Sequence, residues 1–141
     1  MGIFASVATI TLASSLASLL LHYEVLRLLT FLLPSIAVKP RQKLLVVVTG
    51  MIVAHLLEVL VFAIAFWVCF ELDFPDRGSE MSFVQALYLS IESFASLGTS
   101  TGFPVGQLRL LAGVEALVGL ILIGWTASFT YLAMNTFWME H

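Results

Sequence analysis

A polar stretch at residues 96–104, SLGTSTGFP, interrupts an otherwise apolar chain. It combines small hydroxyl side chains with two glycines and a proline, which are typical of irregular backbone. Irregular backbone survives at membrane depth only where protein or a water-filled cavity surrounds it. Two interpretations follow: the stretch is an ordinary connection between helices, or its backbone groups and hydroxyls are the working part of the protein.

Three ionisable residues, His55, Glu58 and Glu115, lie inside long apolar runs. Such residues are functional candidates by default, because burying them in a membrane is costly. His55 and Glu58 are three residues apart on one helix face, a spacing that recurs in helical metal sites. One histidine and two carboxylates on unknown faces nevertheless favour a structural hydrogen-bonded cluster. The sequence therefore predicts an intramembrane polar cluster rather than a metal site.

The composition indicates an integral membrane protein. Of the 141 residues, 60% are hydrophobic and 11% are charged, and the mean hydropathy is +1.05. A soluble domain of this size could not cover so much apolar side chain. The net charge of −3 comes without a basic cluster that would suggest nucleic acid. No nucleophile–base arrangement or cofactor loop indicates an enzyme, and the single Cys69 cannot form an intrachain disulfide.

Residues 1–33 are predicted to form an N-terminal transmembrane helix. We expect this helix to be retained, because no basic residue precedes Arg27 and a signal peptide would begin with a basic region. Small residues on this helix suit a close approach by another helix: Ala5, Ala8, Ser15 and Ser18.

The next segment sets the predicted orientation. Residues 34–43 form a short loop with three basic side chains, which the positive-inside rule places in the cytoplasm. The N-terminus is then outside, residues 44–70 cross back, and the last span, 107–138, leaves the C-terminus in the cytoplasm. An acidic linker after the second span should face outward, with Glu71, Asp73, Asp76 and Glu80.

Residues 82–97 are apolar but too short to cross a bilayer. Ser82 and Gln85 have the spacing of a capping box, which predicts a helix start. A half-length helix followed by the polar loop 98–104 is typical of a re-entrant segment. The predicted order is helix, helix, short re-entrant helix, polar loop, helix.

These segments resemble the pore domain of potassium channels. ALYLSIESFASLG (86–98) resembles the pore helix of bacterial two-helix potassium channels, and RLLAGVEALVGLILIGWTASF (109–129) resembles their inner helix. HLLEVLVFA (55–63) is similar to the outer helix of small bacterial ion-channel-like proteins. The resemblance implies an all-α membrane protein with one extra N-terminal transmembrane helix. Its channel-like pore domain would span 44–141, with outer helix 44–70, pore helix 82–97, filter loop 98–104 and inner helix 107–138.

The resemblance departs from the family pattern inside the filter loop. Aligned on Gly98, the positions of Val-Gly-Tyr-Gly-Asp are occupied by Leu97-Gly98-Thr99-Ser100-Thr101. Potassium selectivity needs backbone carbonyls from four subunits aimed at a dehydrated ion. Forcing Ser100 into the left-handed conformation would cost about 1–2 kcal/mol. The resemblance therefore implies a tetrameric cation channel with altered, weaker potassium selectivity.

A second register is open in the same loop. Residues 99–103 resemble the Thr-x-Gly-Phe pattern of the single-glycine filters of Trk/Ktr-type potassium transporters. Those transporters carry four such repeats in one chain, so this chain would need a tetramer. Gly102 would then supply the permissive residue. Between them the two registers predict an ion pathway lined by Ser96, Leu97, Gly98, Thr99, Ser100, Thr101 and Gly102.

The resemblance also assigns supporting roles outside the loop. Glu92 stands where related channels pair a glutamate with the aspartate after the filter, a position that Thr101 takes here. We expect Glu92 either to be protonated and hydrogen-bonded to the loop or to be exposed at a pore mouth. Tyr88 is a pore-helix aromatic residue that would support a filter. Gly119 and Gly124 are candidates for a gating hinge or for close helix packing.

The sequence thus predicts passive conduction of monovalent cations, K+ and also Na+, through a homotetramer in a bacterial inner or plasma membrane. The expected partners are membrane lipid and further copies of the chain, with no nucleic acid, no cofactor and no metal beyond the permeant cation. Two alternatives stay open: a non-conducting, channel-like structural or regulatory membrane module, and a Trk/Ktr-like ion-transport subunit. Enzymatic activity is not expected.

Overall fold

Four α-helices make up the described part of the protein, which in this computed structural model comprises residues 2–73, 81–98 and 106–138. They are α1 (Gly2–Leu32), α2 (Pro40–Asp73), α3 (Phe83–Phe94) and α4 (Leu108–Trp138). Helices are favoured because each satisfies its backbone hydrogen bonds internally, which a bilayer demands. α1, α2 and α4 are long and apolar enough to cross a membrane, whereas the 12 residues of α3 extend only about 18 Å.

The three long helices alternate in direction. His22 and Leu29 of α1 lie against Glu58 and Gly50 of α2, so α1 and α2 run antiparallel. α2 and α4 are antiparallel too, since His55 contacts Thr126 and Lys43 lies over the Phe137 ring. Within the described residues, α3 packs on α2 and α4 and makes no contact with α1.

Two apolar cores hold the helices together. The larger joins all four helices around buried aromatic and aliphatic side chains, among them Phe62, Phe66, Leu111 and Leu122. The smaller core joins α1, α2 and α4 nearer the loop after α1 and includes Leu29, Val47 and Met51.

The buried face of α1 changes character along its length. Its first half buries small hydroxyl residues, and most of these donate to the carbonyl one turn earlier, as Thr11 does to Val7 at 2.7 Å and Ser15 does to Thr11 at 2.8 Å. The predicted interface residues Ser15 and Ser18 are buried, but Ala5 is exposed and Ala8 only half-buried. The buried face of α1 is therefore a stripe of hydroxyls rather than of alanines.

The second span begins earlier than predicted. The predicted loop 34–43 ends at residue 39, because Pro40 occupies the first turn of α2 and needs no hydrogen-bond acceptor for its nitrogen. Gln42 Oε1 accepts from the Lys39 backbone amide at 3.1 Å, which is half of a capping box. The predicted loop includes the proline and the basic residues and so misses this helix start. At its other end α2 extends to Asp73, three residues beyond the predicted residue 70.

The short helix is defined by its two ends. Ser82 accepts from the Gln85 amide, and Gln85 Oε1 accepts from the Ser82 amide at 2.8 Å, so the predicted capping box is confirmed. The helix ends at Phe94, three residues before the predicted end at Leu97, because the chain turns into a left-handed conformation at Ser96.

Candidate functional site

The chain reverses sharply after α3. The Leu97 amide donates to the Glu92 carbonyl at 3.0 Å, and the Ser96 amide donates to the Ser93 carbonyl at 2.9 Å. These two bonds form a Schellman motif, in which the residue after the cap is left-handed and is most often glycine. Here that residue is Ser96, with φ +54°, and Gly98 follows with φ +79°. Two left-handed residues within three positions therefore open the polar loop.

A close approach holds the end of α3 against α4. A Cβ atom added to Gly119 would clash with the Phe94 carbonyl oxygen, so no other residue fits at this position without a shift of the backbone. The same atom at Gly124 would meet nothing within 4 Å. Of the two candidate hinge glycines, Gly119 is thus needed for packing at the last residue of α3, while Gly124 lies on an open helix surface.

One polar cluster lies under α3. The Ser90 hydroxyl is 2.8 Å from the Val59 carbonyl and 2.5 Å from Glu115 Oε1, and all three groups are buried. We call Ser90, Glu115 and the Val59 carbonyl the Ser–Glu cluster. A hydroxyl has one proton to donate, so both bonds form together only if the Glu115 carboxyl carries a proton and donates to Ser90. The cluster therefore links α3, α2 and α4 through neutral groups.

A second polar cluster lies between α1, α2 and α4. Glu58 is fully buried; its Oε1 is 2.8 Å from His22 Nδ1, and its Oε2 is 2.8 Å from His55 Nδ1. The other nitrogen of His55, Nε2, is 3.0 Å from the Thr126 hydroxyl. We call His22, His55, Glu58 and Thr126 the His–Glu cluster.

Aromatic rings enclose the His–Glu cluster. The two imidazoles stack with centroids 5.5 Å apart, Trp125 lies 5.4 Å from His22, and Phe94 lies 5.5 Å from His55. Since Phe94 is the last residue of α3, this cluster is in direct contact with the C-terminal end of the short helix.

The structure divides the predicted intramembrane cluster in two. His55 and Glu58 are hydrogen-bonded to each other, but Glu115 contacts Ser90 of α3. Sequence reasoning missed three residues of these clusters: His22, Ser90 and Thr126. His22 had a detectable signal, because it continues the stripe of Thr11, Ser14, Ser15 and Ser18 at helical spacing.

The other predicted site residues lie around the end of α3. Glu92 is half-buried, and the Tyr88 side chain is 65% exposed on the face of α3 away from Glu115. Ser96, Leu97 and Gly98 form the reversal and are exposed. The predicted pathway residues Thr99, Ser100, Thr101 and Gly102 lie outside the described residues, as do Asp76 and Glu80 of the acidic linker.

The chemistry available at the two clusters differs. The Ser–Glu cluster offers one carboxyl and one hydroxyl, each already hydrogen-bonded. In the His–Glu cluster, His22, His55 and Glu58 each offer one ligand atom, and these atoms lie within 4.8 Å of one another. Only the second cluster therefore has the donors of a metal site, and it acquires its third donor from α1.

Comparison with known proteins gave one family match. A family model described as "Ion channel" matches residues 44–135, which include α3 and most of α2 and α4. No curated protein and no solved structure matched the chain. α1, with His22, precedes the matched region.

Proposed function

This chain belongs to the ion-channel family through a potassium-channel-like pore domain at residues 44–135, and from that premise we propose that four copies form a cation channel. The channel conducts monovalent cations passively through a central pore, with weaker selectivity for potassium than a filter with two glycines provides. Residues 96–102 line its narrowest part.

The observation that carries the proposal is the placement of α3. This short helix is packed between two antiparallel membrane-spanning helices and ends in a chain reversal at Ser96–Gly98. Irregular backbone after such a helix is tolerated at membrane depth where protein or a water-filled cavity surrounds it, and a pore formed by several copies provides such a cavity. One copy of such a loop cannot enclose an axis, so several copies must surround the pathway.

The uncovered face of α3 supports assembly. Val84, Tyr88 and Ile91 follow one another at helical spacing and are 59%, 65% and 40% exposed in the single chain. Leu97, just beyond the helix, is 74% exposed. A neighbouring copy that covers this stripe would bury large apolar side chains beside the loop, which favours association.

The loop geometry favours the register that begins at Gly98. Its φ of +79° is a conformation that glycine adopts without strain and that other residues resist. In this register Ser100 replaces the second glycine of a potassium filter, and four evenly spaced carbonyl sites are not expected. The Trk/Ktr-like register, centred on Gly102, is the competing hypothesis.

Charge supports a cation pathway and one orientation. The acidic residues after α2 would concentrate cations at an outer mouth, and the basic residues Lys39, Arg41 and Lys43 favour the cytoplasmic side. The N-terminus would be outside and the C-terminus in the cytoplasm of a bacterial inner or plasma membrane. Lipid and further copies of the chain are the partners that this arrangement requires.

Ion flux from liposomes tests the proposal. The purified full chain, shown to be tetrameric by native mass spectrometry, is reconstituted with potassium, sodium or a large organic cation inside. We expect potassium and sodium to leave at similar rates, within about one order of magnitude, since the filter lacks a full set of carbonyl sites. A tetramer that passes no ion would instead be a non-conducting membrane module.

Two further variants test the register. Gly98→Ala places a Cβ at φ +79° and should reduce flux strongly if Gly98 is the filter glycine, whereas Gly102→Ala should be the damaging change in the Trk/Ktr-like register. The triple change Thr99→Tyr, Ser100→Gly and Thr101→Asp should raise potassium over sodium selectivity in the first register. Unchanged selectivity in that variant would reject this register.

A further inference from the structure

We propose that His22, His55 and Glu58 bind one divalent transition-metal ion of the zinc type, which ties α1 to the pore domain. This site lies away from the proposed filter, and its existence does not depend on conduction. The ion is one that accepts imidazole and carboxylate ligands together, as zinc, cobalt and nickel do.

The separations between the donor atoms are close to those between the ligand atoms of a bound metal ion. His22 Nδ1 and His55 Nδ1 are each 2.8 Å from one oxygen of Glu58. Ligands bound tetrahedrally at 2.0–2.1 Å from zinc are separated by roughly 3.3 Å. Small side-chain movements would therefore convert the hydrogen-bonded arrangement into a coordination sphere.

The three ligands are held on rigid elements. His55 and Glu58 stand three residues apart on one face of α2, and His22 comes from the facing side of α1. His22 is held by Trp125, and His55 by Phe94, through ring contacts. Packed helical positions lower the reorganisation that metal binding requires.

Thr126 orients His55 as a metal ligand. Its hydroxyl lies 3.8 Å from Met51 Sδ and 3.0 Å from His55 Nε2, so when it donates to the sulfur its oxygen accepts from His55 Nε2. With the proton of His55 on Nε2, the lone pair of Nδ1 points at a Glu58 oxygen. In that tautomer Nδ1 can ligate a metal ion while Thr126 accepts the Nε2 proton, once Nδ1 and the Glu58 oxygen move apart from their present 2.8 Å.

The charge of Glu58 has no fixed cation to balance it. Within the described residues its ion-pair partners are the two histidines alone, whereas Arg27 of α1 pairs with Glu24 at the surface, 3.0 Å away. An ionised carboxylate in the interior of a membrane protein needs a compensating charge. A divalent ion supplies it without a lysine or an arginine.

Two buried polar atoms of α1 make no hydrogen bond within the described part of the chain. Ser18 Oγ and His22 Nε2 are buried, one helical turn apart, and neither has a hydrogen-bond partner among the described residues. Metal ligation through His22 Nδ1 would place the histidine proton on Nε2, so this nitrogen would be a donor that still needs an acceptor.

The test measures metal directly. The full chain in detergent is stripped with a chelator, loaded with Zn2+ and desalted, and metal per chain is determined by mass spectrometry; Co2+ serves as the spectroscopic probe. We expect one ion per chain and visible cobalt absorption typical of nitrogen and oxygen ligands. His22→Gln and Glu58→Gln should lower the affinity by about 100-fold. Glu115→Gln, at the other buried glutamate, and His141→Gln should leave it unchanged.

Several outcomes would overturn the proposal. These are substoichiometric zinc in the wild type, full binding by His22→Gln, or loss of binding in His141→Gln, which would mean a terminal adventitious site. If the ligand variants fail to fold, Thr126→Val decides: about tenfold weaker binding with a shifted cobalt spectrum is expected, and no change in either rejects the site. Flux plays no part in these readouts, so a non-conducting protein that binds zinc leaves this inference standing.

Discussion

The two buried glutamates, Glu58 and Glu115, both belong to clusters that contact α3, but their hydrogen-bond partners differ in kind. Glu115 contacts a hydroxyl on α3, and Glu58 contacts two imidazoles on α1 and α2. The Ser–Glu cluster is built wholly from the region that matches the ion-channel family, whereas the His–Glu cluster depends on a residue outside it. The first joins the half-length helix to its own domain, and the second joins the N-terminal helix to that domain.

The two clusters therefore have different roles, which the composition of the sequence does not distinguish. A neutral cluster holds α3 in position without placing a fixed charge beside the proposed cation pathway. A cluster with two histidines and a carboxylate has the donor atoms to take up a cation. We therefore expect changes at Glu115 and Glu58 to differ in size and in kind.

The largest effect is expected from replacing each glutamate by leucine in chelator-treated protein. Glu58→Leu leaves two imidazole nitrogens without a partner and should cost about 3 kcal/mol in the free energy of unfolding. Glu115→Leu should cost less than about 1 kcal/mol, because Ser90 still donates to the Val59 carbonyl and an unpartnered Glu115 oxygen is removed. Denaturant unfolding in detergent measures both, and equal losses would contradict the distinction.

The next-largest effect on stability is expected at the contact between the end of α3 and α4. Gly119→Ala places a Cβ against the Phe94 carbonyl and should cost about 1–3 kcal/mol, because backbone must move. The shift should disturb the Ser–Glu cluster, which joins α3 to α2 and α4. Gly124→Ala is the matched control, with open space around it, and should be neutral or stabilising by up to about 1 kcal/mol.

The same control variant tests the gating hypothesis for Gly124. If this glycine is a hinge, Gly124→Ala should retain stability and lose flux. Flux and stability that both match the wild type would remove Gly124 from the gating mechanism.

The comparison also shows which features the sequence could predict. Composition and span length were sufficient for three membrane helices, and Ser82 with Gln85 predicted the start of α3. The pairing of Glu115 with Ser90 could not be predicted, because it depends on which faces of two separate helices meet. The start of α2 at Pro40 was predictable from proline at a first turn, but its basic neighbours suggested a loop.

His22 is a second residue whose contacts could not be predicted from the sequence. It lies 36 residues before Glu58, in a helix to which no family pattern extended, so nothing paired the two residues in advance. The stripe of hydroxyls that leads to it did mark the buried face of α1. Reading that stripe as polar, instead of looking for small residues alone, would have placed His22 at the interface with α2.

A smaller effect is expected at Thr126. Thr126→Val keeps the shape of the side chain but removes the bond to His55, at a cost of about 1 kcal/mol. In double mutants it should couple to Glu58→Leu by more than about 0.5 kcal/mol, and add independently to Glu115→Leu. If the coupling energy between Thr126→Val and Glu115→Leu were equally large, the two clusters would act as one unit.

The smallest effect is expected at the reversal itself, and it is opposite in sign. Ser96→Gly removes the Cβ from a residue at φ +54° and should stabilise the protein by about 0.5–1 kcal/mol. Ala95→Gly, one residue earlier at φ −79°, relieves no strain and should be neutral or destabilising. Because the Schellman bonds join Ser96 and Leu97 to the last turn of α3 and involve no other helix, the gain should persist when Glu115→Leu is present. A gain that vanishes there would mean that the Ser–Glu cluster, and not the helix end, holds the loop in its left-handed turn.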